Sequence, residues 1–223
     1  MNWDVVLFTV GLSLLAVAGS LPFALWLAWL LARKRWPGKA VVETLVTVPL
    51  VLPPVATGFA LLLLLGRQSW LGSMFEKLTG MEIVFTWKAV VMAMAVMSFP
   101  LVVRTARVGF EGVDAQLEDA ARTFGAGSWQ VFWRITLPLA RRGVLGGMML
   151  GLARALGEFG ATIVFAGNIP GRTTTIPLAI YTDVVLGDNA AALKLMAVSL
   201  AIAFVAVALG ERLARPLDGA SAG

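Results

Sequence analysis

The chain contains no cysteine and no histidine, and only one tyrosine. It is also short of charge: Asp, Glu, Lys and Arg make up 14% of its 223 residues, where soluble domains carry about 25%. Without thiols and imidazoles there are no disulfides, no cysteine nucleophile, no imidazole acid–base pair and none of the usual zinc ligands. Neither a metal nor an organic cofactor is expected. The shortage of charge accompanies a 59% hydrophobic composition and a mean hydropathy of +0.85, which together place the chain in a lipid bilayer. The 18 basic residues outnumber the 13 acidic ones. They gather at the ends of apolar runs, so the excess describes membrane topology and not a nucleic-acid partner.

An all-α integral membrane protein is therefore expected. Five runs approach the roughly 20 apolar residues needed to cross a bilayer: Val5 to Leu31, Val41 to Leu65, Trp87 to Val108, Gly143 to Gly167 and Ala190 to Leu213. Met1-Asn2-Trp3-Asp4 has no basic leader and no small-residue cleavage site follows, so the first run reads as a retained span. No linker or internal repeat divides residues 1–223, and a single transmembrane domain is expected. Arg33, Lys34, Arg35, Lys39, Arg104, Arg107, Arg122, Arg134, Arg141, Arg142, Arg212 and Arg215 fall on one side of these runs. Arg67, Lys77, Lys88, Arg172 and Lys194 fall on the other. The richer side is expected to be cytoplasmic, with the N-terminus outside and the C-terminus inside.

Several positions stand out within this frame. Pro49, Pro53 and Pro54 interrupt the second run, near Thr47, Thr57 and Gly58. Backbone groups freed by proline are tolerated in lipid only when packed against protein or lining a cavity, so this stretch reads either as a pathway wall or as a structural kink. Pro100 in the third run is open to the same two readings. Trp70 to Glu82 is expected to hold an interfacial helix with Trp70, Leu71, Phe75 and Leu78 on its apolar side. In the fourth run Gly147 and Gly151 have the small-xxx-small spacing that allows close approach of a second helix, such as a twin at a dimer axis. Arg154 and Glu158 lie in the same run, one helical turn apart. They read either as part of a translocation path or gate, or as a self-neutralising pair that fixes packing. Thr173, Thr174, Thr175 and Arg172 in the following loop form either an anion entry lip or ordinary turn chemistry. Pro177, Leu178 and Ile180 point to a short surface or re-entrant helix.

The one long polar stretch, Asp114 to Pro138, lies between apolar runs and so outside the lipid. Asp114 is placed to cap a helix with Glu118 and Asp119 in its first turns. Leu117, Ala121 and Phe124 share a face. Gly125 and Gly127 are expected to stop that helix, Ser128 to cap a second, and Pro138 to end the unit. The result is a compact helical knob suited to docking.

The same residues carry a resemblance. Asp119-Ala120-Ala121, Gly125, Ile135 and Leu137-Pro138 are similar, at every spacing, to the EAA motif of bacterial ABC importer permeases, with Asp119 in place of the glutamate and Glu118 just before it. The stretches around Arg33 to Lys39, Leu50 to Val55, Ala153 to Thr162 and Gly167 to Pro177 resemble the oxyanion branch of that family, and within it the molybdate permease subunits. The resemblance covers nearly the whole chain. It implies the importer-permease fold, with a cytoplasmic coupling loop at about 109–142 that contacts an ATPase through Glu118, Asp119, Ala120, Ala121, Gly125, Ile135, Leu137 and Pro138. The candidate path or gate residues are Pro53, Pro54, Thr57, Arg154, Glu158, Thr173 and Thr174. The implied partners are a second copy of the chain, two cytoplasmic ABC ATPase subunits and a periplasmic or extracellular molybdate-binding protein. The implied location is the bacterial cytoplasmic (inner) membrane. ATP hydrolysis would belong to the ATPase partner, because the chain has no GxxxxGKS or GxxxxGKT loop. The implied cargo is molybdate, with tungstate beside it. A sulfate or other oxyanion permease is the near alternative, and an ATPase-independent channel or carrier a distant one. A membrane-embedded enzyme has no pair of membrane carboxylates to work with.

Overall fold

A helix surrounded by lipid hides its small and hydroxylated residues and shows its bulky ones outward, the reverse of a helix in water. Helix α1 (Trp3–Arg33) follows this rule. Its buried side carries Thr9, Ser13, Ala16, Ala24 and Ala28 at three- to eight-residue steps, while Leu7, Leu14, Phe23 and Trp26 are exposed. In this computed structural model residues 3–214 are described. Arg215, one of the basic residues after the last expected span, lies outside them, as do Met1 and Asn2.

Helices α2 (Lys39–Val51), α3 (Pro54–Leu65), α4 (Trp70–Thr79) and α5 (Trp87–Glu111) follow in order. Next come α6 (Ala115–Thr123), α7 (Ser128–Val131), a π-helical segment Phe132–Thr136 and α8 (Leu137–Leu156). Helices α9 (Gly160–Phe165), α10 (Ile176–Val185) and α11 (Asn189–Ala214) complete the chain. The described residues contain no strand. Helices α1, α5 and α11 are each long and apolar enough to cross a membrane, and the bent pair α2–α3 makes a fourth candidate.

Two of the five expected spans are not single helices. The second breaks at Leu52–Pro53, where the chain bends by 114° between α2 and α3. Leu52 and Pro53 each precede a proline, which drives both out of the helical region, and both are extended, with ψ of 143° and 132°. Pro49 is accommodated inside α2. The fourth begins earlier than expected, at Leu137, and stops at Leu156; Gly157 to Phe159 separate α8 from α9. The two broken spans then pack on each other through α3 and α9. A Cβ on Gly58 would lie 2.6 Å from Ala161 O, and one on Gly160 would lie 2.7 Å from Pro54 Cβ. Any side chain at either position would drive the two helices apart.

The central packing is α1 and α8 on α5. Here the glycine stripe of α8 has a use other than the expected one. A Cβ on Gly143 would lie 2.5 Å from Gly109 Cα, and one on Gly151 would lie 2.5 Å from Val102 Cγ2. The stripe therefore receives α5 of the same chain, where a twin helix at a dimer axis had been expected. Buried side chains form two main clusters, one around Met94, Met97 and Phe165, the other around Leu31, Val103 and Phe110. The second reaches the end of the molecule that carries α6. At that end Arg107 joins α2 to α5 by bonding Glu43 at 2.8 Å and Glu111 at 2.7 Å.

The expected interfacial helix is α4, capped by Ser69, whose hydroxyl accepts from Gly72 N–H at 2.9 Å. Trp70, Leu71 and Leu78 are exposed, while Phe75 packs against the first cluster. The expected short helix after the threonine loop is α10, with Pro177 in its first turn.

Candidate functional site

The knob forms as its capping residues dictate. Asp114 accepts from Gln116 N–H at 2.9 Å and starts α6. The helix closes through Gly125 at φ +87°, a left-handed turn that favours glycine, with Ala126 N–H donating to Ala121 O at 3.0 Å. Gly127, and not Ser128, caps α7; Gln130 Oε1 accepts from Gly127 N–H at 3.3 Å. Pro138 does not end the unit. The chain remains helical from Ser128 through the π segment into α8, with Pro138 in the first turn of α8. Leu137 N–H reaches back five residues to Phe132 O, and this widened turn makes room for a proline ring that would clash with a regular α-helix.

The two adjacent acids on α6 part company. Asp119, at the motif position, is exposed and pairs with Arg122 at 2.7 Å. Glu118 is 4% exposed. Its Oε1 accepts from Arg33 Nη2 at 2.9 Å and from Thr136 Oγ1 at 2.7 Å, and Arg122 lies 3.7 Å from its other oxygen. The same Arg33 nitrogen donates to Val113 O at 2.8 Å. The Arg33–Glu118 pair thus ties α1, α6, the π segment and the turn after α5 together. Of the other motif residues, Ala121, Ile135 and Leu137 are half-buried, and Ala120 is exposed. The outward side of the knob is apolar and open: Phe124 is 90% exposed, Trp129 is 73% exposed, and Leu117 is exposed too.

The second cluster lies where the two broken spans meet. Arg154 Nη1 contacts Glu158 Oε2 at 2.6 Å. Glu158 lies in the break and not on the helix of its partner; it is 1% exposed, and its Oε1 accepts from Ala161 N–H at 2.7 Å. The glutamate therefore pairs with Arg154 and satisfies the start of α9 at once. A pair so matched offers an oxyanion no free positive charge. The α3–α9 contact sets Pro54 against Gly160 and Gly58, the neighbour of Thr57, against Ala161, while Arg154 joins this junction through Glu158. The hydroxyls of Thr57 and Thr162 there are buried and make no hydrogen bond.

Thr173 and Thr174 have local work. Thr173 Oγ1 accepts from Ile169 N–H at 2.9 Å and donates to Gly167 O at 3.2 Å. Thr174 donates to Asn168 Oδ1 at 2.7 Å. These are turn contacts, and they hold one wall of a cleft of about 600 Å³ bounded also by Thr182, Asp183, Asp188 and Lys194. Its mixed charges do not select for anions. Among the described residues no acidic cluster has metal-ligand spacing.

Sequence reasoning treated Arg33 as a topology marker and passed over Thr136, Thr162 and the packing of Gly58. Arg33 and Glu118 are 85 residues apart, and no local pattern joins them. Thr136 stands at the variable position of the Ile135–Pro138 signature, which conceals it.

Comparison with known proteins agrees over most of the chain. The family model described as a binding-protein-dependent transport system inner membrane component matches residues 20–218. The molybdenum transport system permease protein ModB of Escherichia coli is 49% identical over 215 residues, covering 96% of this chain and 94% of its own. A sulfate transport system permease protein, CysW of Synechocystis sp., is 37% identical over 203 residues, covering 91% of this chain and 73% of its own. Among solved structures, a bacterial alginate ABC transporter in complex with a pentasaccharide-bound periplasmic protein superposes with a TM-score of 0.69 at 18% identity. That match covers 93% of this chain and 76% of that one, and it speaks to fold alone.

Proposed function

We propose, for a chain that belongs to the family of binding-protein-dependent transport system inner membrane components, that it is the permease subunit of an ATP-driven importer for molybdate, and for tungstate with it. One observation carries the choice of cargo: the likeness to a molybdenum permease is higher in identity, and more complete over the relative's length, than the likeness to a sulfate permease. The chain is a multi-pass inner-membrane transport subunit and not an enzyme; ATP is hydrolysed by ABC partner subunits.

In the working assembly two copies of the chain would form the membrane dimer, with two ATPases on the cytoplasmic side and a molybdate-binding protein opposite. The knob is the docking element. Its exposed Leu117, Phe124 and Trp129 offer the apolar face that an ATPase groove would cover, and its capped, glycine-closed α6 moves as a unit. Nucleotide-driven closure of the ATPases would displace the knobs and rock the helices between inward- and outward-facing states. The junction of α3 and α9 is the proposed constriction. There backbone leaves the helix in both spans, and the hydroxyls of Thr57 and Thr162 have bonding capacity to spare. Cargo selection rests mainly on the binding protein, because the described residues converge no set of unpaired arginines there.

Reconstitution of the permease with its ATPase and binding protein tests this reading. ATP-dependent uptake of labelled molybdate is expected, with sulfate failing to compete at equal concentration. Equal uptake of sulfate would move the chain to the sulfate branch. Flux without any ATPase would make it a channel or carrier.

A further inference from the structure

We infer that Arg33 is a positioning residue that fastens the knob to α1, so that α1 carries the knob's displacement across the membrane to the start of α10 at Ile176. The inference rests on the importer reading above and adds a route for the motion.

The cytoplasm-side attachment is the Glu118 cluster. Arg33 is the last residue of α1, and a single Nη2 donates both to Glu118 on α6 and to the Val113 carbonyl after α5. Thr136 holds the same carboxylate oxygen from the π segment. The Arg33 and Glu118 side chains are 16% and 5% exposed, so water cannot readily replace either partner, and charge-assisted bonds of this kind are the strong ones. The opposite end of α1 is fastened as well. Ile176 N–H donates to Thr9 Oγ1 at 2.9 Å, and Val6 packs with Ile176 and Leu195. Between Thr9 and Arg33 α1 stays helical without a break, with Pro22 accommodated inside it, a length of about 36 Å at roughly 1.5 Å per residue. Among the described residues no other helix is tied by side-chain hydrogen bonds both to the knob and to the first residue of α10. A helix held at both ends transmits a shift as a strut, whereas the α2–α3 span bends at its gap and the α8–α9 span is interrupted at Gly157 to Phe159.

The complete complex in proteoliposomes tests this, with Arg33→Ala, Arg33→Lys and Thr136→Val. Three quantities are read: ATPase subunits retained per permease, hydrolysis with and without the molybdate-loaded binding protein, and molybdate uptake per assembled complex. Arg33→Ala is expected to retain the ATPases and their unstimulated hydrolysis, and to lose about tenfold of the binding-protein stimulation and of the uptake. Arg33→Lys keeps a cation able to bond both oxygens and should recover most of both. Thr136→Val removes one bond and should cost about threefold. Unchanged stimulation in Arg33→Ala overturns the inference. So does a loss of uptake that only tracks a loss of assembled complex in both Arg33→Ala and Thr136→Val, which would make the contact one of folding alone. A wild-type permease that retains no ATPase would instead remove the importer reading beneath it.

Discussion

Glu118 and Glu158 are both buried glutamates paired with arginine, at 2.9 Å and 2.6 Å, yet they do different things. Glu158 pairs within one turn and satisfies the N-terminus of the very next helix, so its polar partners all come from residues 154–161. Glu118 takes its arginine from the end of α1 and its hydroxyl from the segment leading into α8. A local pair closes a break in one span. A long-range pair fastens several elements to one another. Burial and charge are alike in the two cases, so what separates them is whether the partner comes from the same turn or from a distant helix.

The comparison can be broken by mutation, and the largest effect is expected at the local pair. Arg154→Ala leaves Glu158 charged, buried and without a cation, which should destabilise the fold by about 3–5 kcal/mol and lower the thermal transition of the purified protein in detergent. Glu158→Gln keeps the acceptor for Ala161 N–H and should lose less. If both variants melt together, the capping contact contributes nothing. Next comes the junction these residues serve. Gly160→Val would press a side chain onto Pro54 and should cost about 1–3 kcal/mol through overpacking; its uptake should fall further than its melting temperature implies, because the α3–α9 junction is the proposed constriction. Unimpaired uptake would place the path elsewhere.

At the long-range joint the stability effect is smaller. Arg33→Ala leaves Glu118 with Thr136 and with Arg122 nearby, and a loss of about 1–3 kcal/mol is expected in the same melting assay. A loss equal to that of Arg154→Ala would erase the distinction between the two glutamates. Gly125→Ala has open space around the new methyl but carries a left-handed backbone, so about 1–2 kcal/mol of strain is expected. The smallest stability change belongs to Phe124→Ala, within about 0.5 kcal/mol because the ring is already exposed. Yet this variant should lose ATPase in co-purification. Full retention would remove the apolar face from the docking account.

The sequence by itself determined the solvent, the helical class, the approximate extent of α1, α5 and α11, and the existence of the knob. Hydropathy, helix caps and turn glycines act over a few residues, and those distances are visible along a chain. It also marked Pro53–Pro54 as a disruption, since a proline restricts the residue before it whatever surrounds it. Only the tertiary structure decided that the glycine stripe of α8 receives α5, that Pro138 continues a helix through a π turn, and that Glu118 holds Arg33 while its neighbour Asp119 faces outward. Each of those outcomes depends on which elements approach one another. A buried charge selects its partner by proximity in space, and 85 residues of intervening chain leave no local trace of that proximity.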